Sequence, residues 1–564
     1  MDVVKVKKLP YGISNYEELI EDNYYYVDKT MYIEKLENLA EKRILFLRPR
    51  KFGKTLFTST LENYYDLKKA DKFESLYGQT YIGKNPTKLK NSYHILKFNF
   101  SGIDTTNEET TIKGFKEEVM ISINGFIQKY KLDFFVNPEL TSEGLLNSLI
   151  EAFKVQRGEE KIYVIIDEYD HFANELLGFN TNQFKNLVSK NGKVRKWYEI
   201  LKKGTESVID RIFITGVAPI TLDSLTSGFN ISTDITQDES FNEMMGFTEE
   251  ELRKLMKEQD IEEEKQKEIL PIMRENYDGY RFSLYGKEKI YNSNMCLYFL
   301  NRYIRFNRIP TELIDMNIAS DYTKLGKMLD LCQGKEKEKV IEKTVSGEGI
   351  VSEIRQKFNP AMEFTETDLV SMLYYLGYLT IEDEEIGYPK LNIPNKVMKE
   401  IYSEYFLEIL KRNINIDISE NYTEIAREIA LEGKIDKIVE MLGKYLKNLS
   451  NRDYQRFDEK YVKLIFFCIA MNLKIFRLKS EMEVQRKYPD ILLIPKERNK
   501  GYKGVMIEFK YLKKEEAGKL KEKQEEARKQ IEEYGEFEEI KELENINKYT
   551  VVAVNDEIYV EEIK

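Results

Sequence analysis

The stretch Ile44-Leu45-Phe46-Leu47-Arg48-Pro49-Arg50-Lys51-Phe52-Gly53-Lys54-Thr55 decides how the N-terminal half of this chain folds. An apolar run, a tight loop, Gly-Lys-Thr and an apolar helical pattern from Leu56 onward give the strand–loop–helix layout of a phosphate-binding P-loop. Backbone N–H groups of such a loop and of the helix N-terminus converge on an anion. Lys54 is placed to reach the β- and γ-phosphates of a nucleotide, and the Thr55 hydroxyl to sit on Mg2+. The loop departs from the usual pattern, because Arg48 stands in place of the first glycine and Pro49 follows it. Arginine side chains are good phosphate partners, and proline fixes the turn. The expected nucleotide-binding residues are therefore Arg48, Pro49, Arg50, Lys51, Phe52, Gly53, Lys54 and Thr55, with at least one of the two guanidinium groups near the phosphates.

A second segment completes the first. Ile162-Tyr163-Val164-Ile165-Ile166 is a continuous apolar run that ends in Asp167 and Glu168. Unbroken apolarity suits a strand buried on both faces of a parallel sheet. Asp167 at its end is expected to hold the Mg2+ of a P-loop site, as a Walker B aspartate does. Glu168 is expected to polarise the attacking water. A third strand, Arg211-Ile212-Phe213-Ile214-Thr215, ends in a hydroxyl that could sense the γ-phosphate; an ordinary strand end is the plainer reading of Thr215 taken alone.

Seven blocks now occur in a fixed order. They are Tyr11-Gly12-Ile13, Tyr26-Val27-Asp28-Lys29-Thr30, the Arg48–Thr55 loop, Asp167-Glu168-Tyr169-Asp170, Ile214-Thr215-Gly216-Val217, Gly246 to Glu251 and Tyr277 to Phe282. In these blocks the chain resembles the AAA-ATPase-like family of microbial proteins, whose P-loop also begins Arg-Pro-Arg. The resemblance covers roughly residues 8–300. It implies an ATPase core and a C-terminal PD-(D/E)xK nuclease-like domain.

The C-terminal sequence supports that domain on its own residues. Tyr488-Pro489-Asp490 precedes the apolar run Ile491 to Ile494, and a turn-rich connection leads to Val505-Met506-Ile507-Glu508-Phe509-Lys510. Residues i and i+2 of a strand share a face, so Glu508 and Lys510 point together while Phe509 turns to the core. Asp490 and Glu508 offer hard oxygen ligands for Mg2+, with Mn2+ as an alternative. A metal there would acidify a water and stabilise charge on a phosphate, and Lys510 would orient that water. Gln530 and Tyr534 share a helix face at i and i+4. They resemble the Q-x-x-x-Y element of exonuclease-type members of that superfamily, which implies that Gln530 borders the site. Glu459, Glu481 and Glu483 compete to supply one more acidic ligand. From Arg477 to Lys514 there are 11 Lys/Arg and 5 Asp/Glu, a local +6 in a chain of net −11. A basic island in an acidic protein fits a phosphate-backbone partner, DNA or RNA.

Composition bounds the rest. At 564 residues the chain exceeds one core. Its three cysteines, Cys296, Cys332 and Cys468, have no metal or disulfide spacing, and its two histidines leave carboxylates to build any metal site. The first residues lack an apolar signal core, and the apolar run near Leu464–Leu473 is too short to span a bilayer, so a cytoplasmic location without a membrane partner is expected.

The expected fold class is α/β. Residues 1–240 form a P-loop AAA-like ATPase core and 241–300 a helical lid that opens at a Thr248/Glu251 capping box. Residues 301–450 are mostly helical with a winged-helix-like element, and 451–564 form an α/β restriction-endonuclease-like domain. Arg281 either reaches ATP from the lid or stays at the surface. The expected function is ATP binding and hydrolysis joined to metal-dependent cleavage of nucleic acid, with a homo-oligomer left open. Two other readings stand beside it: an ATP-switched regulator whose nuclease fold only holds nucleic acid, and an ATPase that remodels a protein partner.

Overall fold

Apolar, β-branched runs become buried parallel strands in the first of two units, Met1–Lys337 with Ile350–Val397. The computed structural model describes residues 7–171, 192–219, 231–315, 329, 336–358, 364–414, 421–449, 458–480, 488–497, 500–541, 543 and 545–563. Strands β1 (Arg43–Leu47), β2 (His94–Asn99), β3 (Ile162–Asp167), β4 (Ile209–Gly216) and β5 (Thr233–Asp234) form one sheet in the order β2-β3-β4-β1-β5. All of its pairings are parallel. Every position of β3 is buried, as are the last four of β1, so apolarity runs unbroken instead of alternating. The buried indole of Trp197, on the Lys193–Gly204 helix, meets the rings of Phe98, Phe100 and Phe115 edge-on. β4 lies between β1 and β3, with Leu47 level with Gly216 and Ile166 level with Ile214. The carboxyl ends of β1 and β3 therefore open onto one crevice, where ligands of parallel α/β sheets bind.

Downstream segments of the same unit return to the loop that follows β1. The capping box forms: Glu251 N–H donates to Thr248 Oγ1 at 3.2 Å, Thr248 N–H to Glu251 Oε2 at 2.8 Å, and the helix Glu249–Glu258 begins there. Gly246, with φ +83°, donates its N–H to the Phe52 carbonyl. The Phe52 ring sits edge-on to Tyr280 at 4.9 Å and to Phe282 at 5.3 Å. Gly377, with φ +81°, lies under Pro49; a Cβ there would come within 2.8 Å of the proline ring. The segments 379–381 and 389–393 read as strands and form the hairpin β7 (Thr380–Glu385) and β8 (Tyr388–Asn392), which with β6 (Ile350–Val351) makes an antiparallel sheet in the order β6-β8-β7. The unit thus runs across the boundaries expected at 240 and 300.

Arg48 explains how those segments are held. Its side chain is buried, and its guanidinium donates to the carbonyls of Leu47 and Thr236, each at 2.9 Å, and of Phe241 and Asn242 at 2.9 and 3.4 Å. The same group stacks over Phe46 and Phe282, 4.1 and 4.2 Å from the ring centres. The expectation that Arg48 serves as a phosphate partner is corrected: both of its terminal amino groups donate to main-chain acceptors inside the protein. Burial lowers its pKa to about 9.

The second unit comprises Glu338–Gly349 and Met398–Lys564. Strands β9 (Phe476–Lys479), β10 (Ile491–Pro495), β11 (Gly504–Leu512), β12 (Ile546–Val554) and β13 (Glu557–Ile563) form a mixed sheet in the order β13-β12-β11-β10-β9. β11 and β12 pair in parallel, and the crossover between them contains the helix Leu520–Gly535; the other pairs are antiparallel. All nine positions of β11 are buried, whereas β13, at the edge, exposes Glu557, Tyr559, Val560 and Glu562.

Replacing Arg48 by Met keeps bulk and removes the donors, leaving buried carbonyls unpaired at about 1–3 kcal/mol each. Arg48→Met is expected to destabilise the first unit by at least about 3 kcal/mol. Denaturant titration followed by Trp197 fluorescence measures this, since Trp197 is the one tryptophan.

Candidate nucleotide pocket and nuclease-like site

The loop 48–53 carries the chain from β1 to the helix Lys54–Tyr65, and two residues with positive φ make its turn: Lys51 at +69° and Gly53 at +97°. Gly53 is the helix N-cap, and only glycine enters that conformation without cost. Lys54 Nζ donates to the carbonyls of Arg48 at 3.1 Å and Pro49 at 3.2 Å and lies 3.8 Å from Glu168 Oε1. The Lys51 carbonyl accepts from the Ser293 hydroxyl at 3.2 Å. A cavity of about 490 Å³ opens here, lined among others by Arg50, Lys54, Thr55, Glu168 and His171.

Asp167 is fully buried, and its Oδ2 accepts from the Thr58 hydroxyl at 3.4 Å. Its pKa is raised by burial and by the Glu168 charge, against the pull of Lys54 and a hydrogen bond from Thr55. Glu168 has φ +52°, a conformation that costs a non-glycine residue energy and that turns its carboxylate toward Lys54. Asp170 fixes this turn by accepting from the N–H groups of Val217 at 3.0 Å and Ala218 at 2.7 Å, just beyond β4.

Arg50 reaches the pocket, with Nη2 3.3 Å from His171 Nδ1. Thr215 does not line it: its buried hydroxyl donates to the Phe46 carbonyl at 2.8 Å on the neighbouring strand, which corrects its expected role at the γ-phosphate. Arg281 also faces elsewhere, donating to the carbonyls of Ile381 at 3.1 Å and Glu382 at 2.6 Å. Phe52 enters the site through its backbone, since its ring is committed to Tyr280 and Phe282.

In the second unit, register brings the acidic pair together. Ile491 pairs with Ile507 at the last rung of the antiparallel ladder, so Asp490, just before β10, comes beside Glu508 and close enough for its charge to act on it. Asp490 Oδ2 accepts from Phe509 N–H at 2.7 Å, and Lys510 Nζ lies 2.9 Å from Glu508 Oε1. The alternation expected from the strand is present: Glu508 and Lys510 share a face, while Phe509 is buried 6.0 Å from the ring of Phe466.

Glu459 opens the helix Glu459–Met471; its Oε2 accepts from Tyr511 N–H at 3.3 Å, and both Glu459 and Asp490 line a cavity of about 340 Å³. The competing Glu481 and Glu483 lie outside the described residues. Gln530 lies on the crossover helix, one turn beyond Glu526, whose Oε1 is 4.0 Å from Lys510 Nζ. Tyr534 joins the apolar core formed by Tyr488, Leu492 and Met506. Sequence reasoning missed Lys463 and Glu526. Both carry a legible signal, four residues after Glu459 and four before Gln530, on the same helix faces.

Residues 10–226 match the family described as Predicted AAA-ATPase, AAA-ATPase-like, and residues 457–563 match the PD-(D/E)XK nuclease superfamily. The chain joins an AAA-ATPase-like domain to a PD-(D/E)XK nuclease superfamily domain. A protein from Azotobacter chroococcum mcd 1, described as an uncharacterized protein in the vnfD 5' region, is 24% identical over 416 residues. The match spans 71% of this chain and 70% of that protein. Among the described residues no helix is long and apolar enough to cross a membrane.

The nuclease superfamily implies a divalent metal, and the donor set can be tested against one. Among the described residues no three acidic, histidine or cysteine side chains form a ready metal cluster. Two carboxylates lie beside each other, however, and Glu508 Oε2 is buried with no hydrogen-bond partner among the described residues; Gln530 Oε1 is in the same condition. Mg2+ keeps several waters and needs only one or two protein carboxylates, so Asp490 and Glu508 fit. Burial and the Asp490 charge push Glu508 up to about 7, against the pull of Lys510. Asp490 is raised as well, by burial, against Lys463.

A carboxyl raised in the folded state binds its proton more tightly there than in the unfolded chain. Its contribution to stability is complete below the ordinary 4.5 and is lost as the pH climbs through about 7. In EDTA, the melting temperature of the nuclease-like domain is expected to fall between about pH 5 and 8, and to fall several degrees less in Glu508→Gln. Calorimetric scans across that range check it; equal pH dependence in the two proteins would contradict it.

Proposed function

We propose that this protein binds and hydrolyses ATP with Mg2+ at the phosphate loop and cleaves nucleic acid at Asp490 and Glu508. The observation that carries the cleavage reading is the neighbouring pair Asp490 and Glu508, with Lys510 at 2.9 Å and a buried Glu508 oxygen without a partner among the described residues. When bound, a divalent cation supplies Lewis acidity at the scissile phosphate. Asp490 and Glu508 hold it, and Asp490 is itself held in place by Phe509 N–H. Lys510 orients the attacking water and neutralises charge at the phosphate. Gln530, whose buried Oε1 has no hydrogen-bond partner among the described residues, is available for a polar contact at the border of the site. The basic island between Arg477 and Lys514 holds the phosphate backbone.

At the other site the loop backbone and Lys54 bind the β- and γ-phosphates, Thr55 and Asp167 hold Mg2+, and Glu168 polarises the hydrolytic water. Arg50, with its guanidinium in the cavity, supplies the arginine contact that Arg48 does not.

The test uses the full-length protein with labelled single- and double-stranded DNA and RNA, with Mg2+ or Mn2+ and with or without ATP. Asp490→Ala is expected to lose cleavage while retaining nucleic-acid binding. Lys510→Ala is expected to lose rate by about 10²-fold or more, the scale of a single positioned catalytic group. Cleavage that persists in Asp490→Ala would place the active site elsewhere. Lys54→Ala is expected to abolish ATP binding, and Glu168→Gln to retain binding and stop hydrolysis; unchanged nucleotide affinity in a folded Lys54→Ala protein would refute the ATP reading.

A further inference from the structure

Lys463 lies one helical turn after Glu459, between Val462 and Leu464, which are both buried. Its ammonium is 2.8 Å from Asp490 Oδ1 and 2.9 Å from Glu459 Oε1, and its side chain is 19% exposed. The two carboxylates are tethered alike. Asp490 uses its other oxygen to accept from Phe509 N–H, and Glu459 uses its other oxygen to accept from Tyr511 N–H. Alternate residues of β11 thus aim one oxygen of each carboxylate at a single point, where the ammonium sits. Glu508, next to Asp490, adds a third acidic group beside it. Two buried carboxylates, Asp490 and Glu508, with the half-buried Glu459 beside them, call for a cation.

We propose that Lys463 is an internal cation standing at a metal position between Asp490 and Glu459, and that a divalent ion binds this site by displacing it. The proposal rests on the nuclease-like reading of Asp490 and Glu508 and deepens it, because it assigns Glu459 as a further ligand, engaged when the ammonium leaves. The side chain has somewhere to go: Glu459, Lys463, Asp490 and Phe509 share the walls of the cavity of about 340 Å³. A lysine on a flexible four-carbon stem is suited to such an exchange, and hard carboxylate oxygens bind a divalent ion more strongly than an ammonium. Lys463 is therefore a positioning residue: it keeps the acidic ligands pre-arranged and sets the metal concentration at which the site loads.

The experiment is calorimetric titration of the full-length protein with Mn2+, without nucleic acid or nucleotide, with Asp490→Asn marking which binding belongs to this site. Lys463→Met is expected to bind Mn2+ at least about tenfold more tightly than the natural chain, since a unit charge a few ångströms away no longer opposes the ion. Adding Glu459→Gln to Lys463→Met is expected to remove most of that gain. Lys463→Gln, which keeps length and polarity, is the second variant if Lys463→Met fails to fold, and the same tightening is expected. Unchanged or weaker Mn2+ affinity in a folded variant overturns the proposal, as does the absence of any Asp490-dependent binding in all of them. A natural chain that binds Mn2+ through Asp490 but cleaves nothing would sink the cleavage reading and leave the displacement standing. Equal affinities in the natural chain and Lys463→Met would do the reverse.

Discussion

One buried guanidinium holds the first unit in register. Arg48 leaves the end of β1, and its two terminal amino groups are held by carbonyls at 47, 236, 241 and 242 while two aromatic faces flank the group. A charge taken out of water is tolerable only where geometry supplies enough partners, and a planar fork of donors is the side chain that can use several at once. The position of the phosphate loop is thereby tied to the segment that follows β5. Phe52 and Pro49 extend the tie to Tyr280, Phe282 and Gly377. A glycine at position 48, as in an ordinary P-loop, would have no side chain with which to do this.

The two sites handle buried acidity with one device. Lys54 stands 3.8 Å from Glu168, Lys510 2.9 Å from Glu508, and Lys463 2.8 Å from Asp490. Each carboxylate gains a neighbouring cation on a flexible four-carbon stem, long enough to change partners. Arg48 holds the scaffold, whereas these three lysines stand where chemistry is proposed.

Much of this was legible in the sequence because local chemistry dictated it. Unbroken apolarity at 162–166 marks a strand buried on both faces, Thr248 with Glu251 marks a helix start, and the spacing of Glu508 and Lys510 puts them on one side of β11. What escaped depends on partners distant in sequence. Nothing near Arg48 tells that its acceptors lie about 190 residues away, so a phosphate and a set of carbonyls are equal candidates for its donors. Thr215 likewise ends a strand whose neighbour, β1, offers the Phe46 carbonyl before any ligand can compete. Lys463 shares a helix face with Glu459, but a lysine in an amphipathic helix reads as solvent-facing until Asp490 is seen beside its ammonium.

The edge strand β13 has a bearing on how the protein behaves when crowded. An outer strand presents unpaired backbone groups, and Tyr559 and Val560 make this one adhesive. Glu557, Glu561 and Glu562 surround those two residues, and Glu561 is engaged by Arg528 of the crossover helix. A second copy approaching edge to edge would bring like carboxylates together, so the sheet ends where charge repels further growth. Replacing those glutamates by neutral residues would remove the repulsion and leave Tyr559 and Val560 as an open edge, ready to pair with a second copy.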